Sequence, residues 1–329
     1  MFQRVRNVWK PANYQGKSKM RSYFEGWYFK IVDKTEENIY AIIPGVSFEE
    51  DGKKIAFIQF FDGKKAVMEF FEYEFEEFQV AKNAFDVRIG KNRFNTEFLE
   101  IDIKKDNHSI KGKIKNSSLK GWPIKPLSPG AMGWYRFVPF MECYHAVIGF
   151  DHSLEGELEI NGKKIDFTGG KGYIEKDYGR SFPRYYLWLQ SNHFDTPDTS
   201  IMASFAKIPW LGSAFDGYIV GFYHKGKVYR FTTYTGAKVT KLQIGEKRII
   251  MHFADKKRRL EIEAYKSEGV HLASPVEGSM TGRILESITA DVKVKLIAVD
   301  KKEEKIIFEG KGRNAGLDIG GKVEEIKEV

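Results

Sequence analysis

The amino-acid sequence predicts an all-β protein made of two antiparallel β-barrels in tandem. Almost every segment is a short run in which apolar and polar residues alternate, closed by Gly, Asn or Asp. Asn-Gly and Asp-Gly pairs between such runs are typical of β-hairpins, and no long amphipathic helical pattern occurs. A meander of hairpins avoids exposed edges by closing into a barrel or by forming a sandwich.

Two stretches show the hairpin pattern most clearly. "IAFIQFFDGKKAVMEFFEYEF", from Ile55, contains Asp62-Gly63, and "LEGELEINGKKIDFTG", from Leu154, contains Asn161-Gly162. Both pairs lie between alternating runs, so each predicts a two-residue turn.

The chain of 329 residues is long enough for two domains. Aromatic segments around Trp27 and Trp188 each precede a series of hairpins, and each half ends on a glycine-containing segment, "GGKGYIEKDYG" or "GRNAGLDIGG". We therefore expect one barrel over residues 1–178, with the proline-rich stretch 116–139 as a long loop, and a second barrel over residues 179–329.

Composition limits the kinds of partner. Aromatic residues make up 15% of the chain, which favours a large apolar lining. The net charge is +8, but 53 basic residues are interleaved with 45 acidic ones, and the basic run 256–259 is expected to be a solvated turn. No zinc-ligand spacing or RNA-binding signature occurs, so we expect no specific binding of nucleic acid. Abundant Lys and Glu with few Cys resembles the composition of heat-adapted proteins.

Several kinds of site and segment find no support in the sequence. It contains no nucleophile elbow, Walker A loop or dinucleotide fingerprint. The single cysteine, Cys143, cannot form an intramolecular disulfide and is expected to be a small buried residue. His145 and His152 would point to opposite faces of one strand, so we expect no metal site. Without an 18-residue apolar run or a signal peptide, the chain is expected to be soluble and cytoplasmic.

Two clusters combine polar residues with aromatic ones. In "RSYFEGWYFK", Tyr23, Glu25, Trp27 and Phe29 fall on one face of a strand. The second cluster, "GYIEKDYGRSFPRYYLWLQSNHF", ends in a strand whose alternate residues form an aromatic and amide face: Tyr186, Trp188, Gln190 and Asn192. Such a face either packs a core or lines a pocket with a few convergent polar groups.

"FEGWYFK", then "EKDYGRSFPRYYLWLQSN", then "AGLDIGG" together resemble the tocopherol cyclase family. The resemblance runs in order from Phe24 to Gly321. The chain departs from the family pattern at Asp177, where the pattern has Asn, and at Tyr178, where it has Trp. A further Trp of the pattern lies near Tyr185 or Tyr186. The resemblance implies two tandem lipocalin-like (calycin-type) barrels.

The resemblance also implies a reaction. A prenylated hydroquinone would close its phenolic oxygen onto the trisubstituted double bond of its tail to give a chromanol, an isomerase reaction that needs no cofactor. A general acid protonates the alkene, aromatic faces stabilise the tertiary cation, and a base takes the phenol proton. Burial among aromatic side chains raises the pKa of a carboxyl group and so retains the proton to be donated.

On this basis the candidate catalytic acids are Glu25, Glu175 and Asp177. The candidate substrate-binding residues are those that could line an apolar wall or orient a phenol: Trp27, Tyr28, Tyr186, Trp188, Gln190 and Asn192. Each acid also has a structural alternative. Glu25 would pair with Lys30 or Arg184, and Glu175 or Asp177 would pair with Arg180.

Three functions remain open at this point. One is cyclisation of a prenylquinol, the second is hydration of an isoprenoid double bond after the same protonation, and the third is binding of an apolar isoprenoid or lipid without chemistry. The expected partner is an apolar prenylated aromatic or isoprenoid small molecule. The chain is also expected to contact a membrane surface peripherally in order to obtain it.

Overall fold

The computed structural model describes residues 7–105, 108–300 and 303–329, which form 25 β-strands and five short 3₁₀ helices. The strands belong to a 12-stranded sheet, an 11-stranded sheet and a small two-stranded sheet, and every pair of neighbouring strands described below is antiparallel. The predicted all-β class is therefore confirmed. No helix among the described residues is long and apolar enough to span a membrane.

The first sheet is built from the N-terminal part of the chain. Its strands are β1 (Tyr23–Val32), β2 (Ile39–Phe48), β3 (Lys54–Asp62), β4 (Val67–Glu74), β5 (Phe78–Val80), β6 (Asp86–Ile89), β7 (Asn92–Asn95), β8 (Phe98–Lys105), β9 (His108–Ser117), β12 (Cys143–Ile160), β13 (Lys163–Asp166) and β14 (Lys171–Gly179). The proline-rich stretch carries the two-stranded sheet, β10 (Ile124–Lys125) and β11 (Ser128–Pro129).

The second sheet follows in the C-terminal part. Its strands are β15 (Tyr185–Ser191), β16 (His193–Phe194), β17 (Thr199–Trp210), β18 (Ser213–His224), β19 (Lys227–Thr232), β20 (Lys238–Ile244), β21 (Arg248–Ala254), β22 (Arg258–Tyr265), β23 (Val270–Val276), β24 (Ser279–Asp300) and β25 (Glu303–Gly321). The 3₁₀ helices are Gly16–Ser18, Phe75–Glu77, Gly133–Phe137, Thr233–Thr235 and Val323–Glu325.

Both sheets repeat one topology. The first runs in the order β4-β3-β2-β1-β14-β12-β9-β8-β7-β6-β5, and the second in the order β19-β18-β17-β15-β25-β24-β22-β21-β20. In each, the tryptophan-bearing first strand pairs with the last, glycine-containing strand, β1 with β14 and β15 with β25. The two segments that mark the ends of each half in the sequence are therefore hydrogen-bonded neighbours.

The predicted two-residue turn forms at one of the two predicted positions. Asn161 and Gly162 have φ of 51° and 82° and form the two-residue turn between β12 and β13, as the mirror-image hairpin turn requires. The turn after β3 is longer than predicted, since β4 begins only at Val67. There the Asp62 carboxylate accepts hydrogen bonds from two backbone N–H groups, those of Lys64 and Lys65, each at 3.1 Å.

The chain separates into two compact units. Among the described residues, the first contains 7–182 and Leu272–Arg283, and the second contains Pro183–His271 and Ile284–Val329. Each unit has its own hydrophobic core. Representative buried side chains are Trp27, Phe29 and Phe94 in the first and Leu189 and Phe222 in the second. The segment 272–283, which the sequence placed in the second half, groups with the first unit.

Candidate active site

Glu25 lies on the core-facing side of β1. Its strand neighbours at alternate positions, Tyr23, Trp27 and Phe29, belong to the hydrophobic core of the first unit, as the alternation predicts. The Glu25 side chain is completely buried, and so is the side chain of its partner Lys176. The Lys176 ammonium lies 2.5 Å from Glu25 Oε1. A charge buried in an apolar core requires such a partner.

The segment before β1 supplies further hydrogen bonds to this ion pair. The backbone N–H of Gln15 donates to both oxygens of Glu25, at 2.9 and 3.0 Å, and the Tyr23 hydroxyl donates to Oε2. Lys176 donates to the carbonyls of Pro11 and Asn13, at 3.2 and 2.5 Å. Burial lowers the pKa of Lys176 to about 8, although the adjacent carboxylate opposes this shift. The polar atoms of both side chains are thus engaged in structural contacts.

The ion pairs in the structure differ from the ones predicted as structural alternatives for the acids. Glu25 pairs with Lys176, so the expectation that it pairs with Lys30 or Arg184 is wrong. Arg184 instead pairs with Glu325, at 2.6 Å. Arg180 pairs with Glu277 and not with the predicted Glu175 or Asp177.

Glu175 and Asp177 lie on the opposite face of the sheet from Glu25. The register places Tyr178 beside Glu25, so the odd-numbered acids of β14 point to the other side. On that side the cross-strand neighbour of Asp177 on β12 is His145. The structure therefore brings Glu175 and Asp177 together and separates them from Glu25.

His145 bridges the two carboxylates. Its Nδ1 lies 2.9 Å from Asp177 Oδ1, and its Nε2 lies 3.6 Å from Glu175 Oε2. The Tyr173 hydroxyl donates to the same Glu175 oxygen at 2.5 Å. We call these four side chains, Tyr173, Glu175, His145 and Asp177, the His145 cluster.

The charge state of the cluster follows from its environment. Burial lowers the pKa of His145, but the carboxylates of Asp177 and Glu175 together outweigh burial and raise it to about 9. His145 is therefore an imidazolium at neutral pH. Burial, with a smaller contribution from Glu175, raises the pKa of Tyr173 and keeps its hydroxyl protonated. Burial likewise raises the pKa of Cys143, so its thiol is not a nucleophile here.

The same three ionisable groups are also a possible metal site. His145, Glu175 and Asp177 each offer one ligand atom, and these atoms lie within 4.8 Å of one another. One nitrogen and two carboxylate oxygens suit a divalent cation such as Zn²⁺ or Mn²⁺. Coordination would require a neutral His145, whereas its raised pKa favours the protonated ring.

The predicted binding residues of β1 are divided between the faces of the sheet. Trp27 shares the core face with Glu25, and its indole N–H donates to the Ala12 carbonyl at 2.8 Å. Tyr28 lies on the other face and is the register neighbour of Glu175. Of these residues, Tyr28 is therefore on the side of the sheet that carries the His145 cluster.

Three predicted binding residues of the second unit share one buried face of β15, opposite the core side chains Leu187 and Leu189: Tyr186, Trp188 and Gln190. The fourth, Asn192, is buried but follows the end of β15. Their substrate-binding role stays a prediction.

The closing "GLDIGG" segment on β25 shapes that face. A Cβ at Gly316 would lie 2.5 Å from the Trp188 ring, and one at Gly320 would lie 2.3 Å from the Tyr186 ring. The glycines thus leave room for the two aromatic rings. Between them, Asp318 accepts a hydrogen bond from the Tyr186 hydroxyl at 2.7 Å.

Sequence reasoning missed His145, Tyr173, Lys176 and Asp318. In the sequence, His145 stands out only as a possible metal ligand together with His152. The pairing register that brings it beside Asp177, between β12 and β14, is not visible in the sequence. Asp318 carried a usable signal, since it lies between two glycines at alternate positions of the last strand.

Comparison with known proteins assigns the family. The model of the family described as "Tocopherol cyclase-like" matches residues 66–321. The chain belongs to this family. The match includes the His145 cluster and excludes Glu25. Tocopherol cyclase of Zea mays is 26% identical over 212 residues, which is 61% of this chain and 44% of the maize protein. The chain therefore spans less than half the length of this relative.

Solved structures of other proteins share the fold of this tocopherol cyclase-like chain. Kievitone hydratase from Nectria haematococca aligns with a TM-score of 0.52 at 10% identity, over 92% of this chain and 90% of the hydratase. CghA in complex with Sch210972 aligns with a TM-score of 0.53 at 10% identity, over 91% of this chain and 88% of CghA. At such low identity these likenesses show the fold alone.

Proposed function

We propose that the chain is an acid–base catalyst that cyclises a prenylated hydroquinone to a chromanol. The observation that carries this proposal is the position of His145 between two carboxylates, with Nδ1 2.9 Å from Asp177 Oδ1 and Nε2 3.6 Å from Glu175 Oε2. Cyclisation requires one proton to be given to an alkene and another to be taken from a phenol. A carboxyl–imidazole–carboxyl chain can perform both transfers and return to its starting state.

Asp177 is the proposed proton donor and Glu175 the proposed base. The Asp177 side chain is 26% exposed, whereas that of Glu175 is 5% exposed and is held by Tyr173. The donor is therefore the more accessible of the two acids. Tyr28, on the same face as the cluster, offers an aromatic ring that suits a carbocation.

The proposed reaction balances without an oxidant or a reductant. In the resting state His145 is an imidazolium between two carboxylates, and its Nδ1 proton passes to Asp177. The Asp177 carboxyl proton then forms a C–H bond at the less substituted alkene carbon, which leaves a tertiary cation. The phenolic oxygen forms a C–O bond to that cation, while its O–H bond breaks and the proton passes to Glu175. Transfer of this proton from Glu175 to the His145 ring restores the imidazolium and both carboxylates. The product is an isomer of the substrate.

Glu25 receives a structural role in this proposal. Its carboxylate is occupied by Lys176, Tyr23 and the Gln15 N–H, and it lies on the other face of the sheet from the His145 cluster. We propose that the pair holds the segment before β1 against the core.

Incubation of the protein with a prenylhydroquinone in D₂O tests the proposed reaction. We expect a chromanol with one non-exchangeable deuterium on the ring carbon next to the ether-bearing carbon, because that carbon receives the proton from the enzyme. A product heavier by one water would instead identify a hydratase. A quinol that is bound tightly and released unchanged would identify a binding protein, and either result would overturn the proposal.

We also propose that each sheet closes into a lipocalin-like barrel. The two end strands of the first sheet, β4 and β5, are joined in the chain by the short helix Phe75–Glu77, and those of the second, β19 and β20, flank Thr233–Thr235. Such short connections favour ends that meet in space. Amide hydrogen exchange tests this, because a closed barrel protects the end strands as it protects the interior ones, whereas an open edge exchanges fast.

A further inference from the structure

Several large apolar side chains of the first unit are exposed in two segments, 7–22 and 117–141. They are Trp9 at 36%, Ile124 at 51%, Leu127 at 83%, Trp134 at 44%, Phe137 at 42% and Phe140 at 57% exposed. We call these side chains, with the exposed lysines of the same segments, the apolar–basic surface. Single exposed apolar residues are ordinary, but a group of large ones marks an interaction site.

Direct contacts join the two segments. The ring of Trp9 packs edge-on against Phe137 with centroids 5.6 Å apart, and its indole N–H donates to the Pro126 carbonyl at 3.0 Å. The buried Arg136 guanidinium donates to the carbonyls of Asn7 and Val8, at 3.3 and 3.4 Å. Trp9 therefore connects the segment before β1 both with the Gly133–Phe137 helix and with the hairpin that carries Leu127.

Local structure explains why these side chains point outward. Leu127 occupies the tip of the hairpin between β10 and β11, where no neighbouring strand covers it. Trp134 and Phe137 lie three residues apart in the 3₁₀ helix Gly133–Phe137, and this spacing places them on the same side of the helix.

All charged side chains of these two segments are basic. Residues 7–22 and 117–141 contain no Asp or Glu, although acidic residues are abundant elsewhere in the chain. Lys10, Lys17 and Lys125 are exposed. Lys10 and Lys17 donate to the neighbouring carbonyls of Asn83 and Lys82, at 3.1 and 3.2 Å, which keeps both cations beside one short loop.

We propose that the apolar–basic surface docks on a bilayer that contains anionic phospholipid. Tryptophan, phenylalanine and leucine insert at the boundary between headgroups and acyl chains, while lysine attracts anionic headgroups, and this surface combines both without an opposing acid. The surface goes beyond the proposed catalysis, because its function requires neither the His145 cluster nor a substrate.

Flotation with lipid vesicles tests the proposal on the full chain in the absence of substrate. We use vesicles of phosphatidylcholine alone and vesicles with about one third phosphatidylglycerol. The wild-type protein is expected to float with the anionic vesicles and to be released by salt. Leu127→Ser combined with Phe137→Ser is expected to weaken binding by about tenfold or more, because two side chains lose their burial in lipid. Lys125→Glu is expected to weaken binding to anionic vesicles only.

Leu211→Ser is the matched control, since Leu211 is 78% exposed in the turn between β17 and β18 of the second unit. It should float like the wild type. Equal binding of wild type and the Leu127/Phe137 variant would overturn the proposal, as would wild type that fails to float with anionic vesicles. A dimer without vesicles, which the Leu127/Phe137 variant dissociates, would also overturn it by showing that the surface joins two copies of the chain.

Discussion

The residue with the most demanding environment is Glu25, a carboxylate with no exposed surface in an aromatic core. Alternation along β1 was enough to predict its face and its aromatic neighbours, because that pattern is local. The identity of its partner depends on the pairing of β1 with β14, which lies about 150 residues away in the chain, and on the segment that crosses above it. Sequence alone therefore placed the acid correctly on its strand and gave it the wrong cation.

The first prediction concerns this ion pair. Lys176→Met leaves the Glu25 carboxylate buried without its cation, and we expect the free energy of unfolding to fall by about 3–5 kcal/mol. Replacing both residues, Lys176→Met with Glu25→Gln, should recover part of that loss. Urea unfolding measures both.

Lys115→Met is the control for this pair. Lys115 lies 3.9 Å from Glu155, and both side chains are about two-thirds exposed, so its loss should cost about 0–1 kcal/mol. Similar small losses for Lys176→Met and Lys115→Met would show that the buried pair does not stabilise the fold.

The second prediction follows from the pKa of His145, which faces Asp177 and Glu175. The pKa of His145 in the folded protein, about 9, lies above its ordinary value of 6.5. Between these two pH values the folded state therefore binds more protons than the unfolded state. The stabilisation is fully present below pH about 6.5 and is lost as the pH rises through about 9. Thermal unfolding of His145→Asn should therefore differ from wild type most near pH about 6 and least above pH about 9.

His271→Asn provides the comparison, because His271 is exposed. It should change the free energy of unfolding by no more than about 0.5 kcal/mol. A difference for His145→Asn that stays constant, or grows, as the pH rises would contradict the assigned charge state.

Among the elements, the hairpins were the most predictable and the pairings between distant strands the least. Asn161-Gly162 forms the expected turn because its two left-handed residues are a local requirement. His145 could not be placed beside Asp177, because β12 carries register shifts in its pairing with β14 that leave no mark in the sequence. The segment 272–283 could not be assigned to the first unit, since its contacts there are hydrogen bonds between residues that are far apart in the sequence.

The third prediction tests how that segment is held. The Gln59 amide donates to the Ala273 carbonyl at 3.1 Å and accepts from the Ala273 N–H at 3.0 Å, all in buried surroundings. Gln59→Ala leaves two buried backbone groups without these bonds, and we expect a loss of about 2–4 kcal/mol in the free energy of unfolding. Hydrogen exchange of the Ala273 amide should also become faster.

Gln243→Ala is the matched substitution, because Gln243 is exposed on β20. It should change the free energy of unfolding by no more than about 0.5 kcal/mol. If Gln59→Ala is as mild as Gln243→Ala, the paired amide contacts do not secure the segment.

For the molecule as a whole, the fourth prediction distinguishes a proton relay from a metal centre at the same three side chains. The relay requires protons only, so dialysis against a chelator should leave product formation from a prenylhydroquinone unchanged. Loss of activity after dialysis, with recovery on adding Zn²⁺ or Mn²⁺, would instead assign His145, Glu175 and Asp177 as metal ligands.

The central claim is that Asp177 donates the proton, and the turnover of Asp177→Asn tests it most directly. The amide keeps the shape of the side chain but has no acidic proton, so we expect chromanol formation to fall by about 10²- to 10⁴-fold while the protein stays folded by thermal unfolding. Asp291→Asn, at an exposed position of β24, should retain wild-type turnover. Asp177→Asn that cyclises the quinol at the wild-type rate would contradict the account.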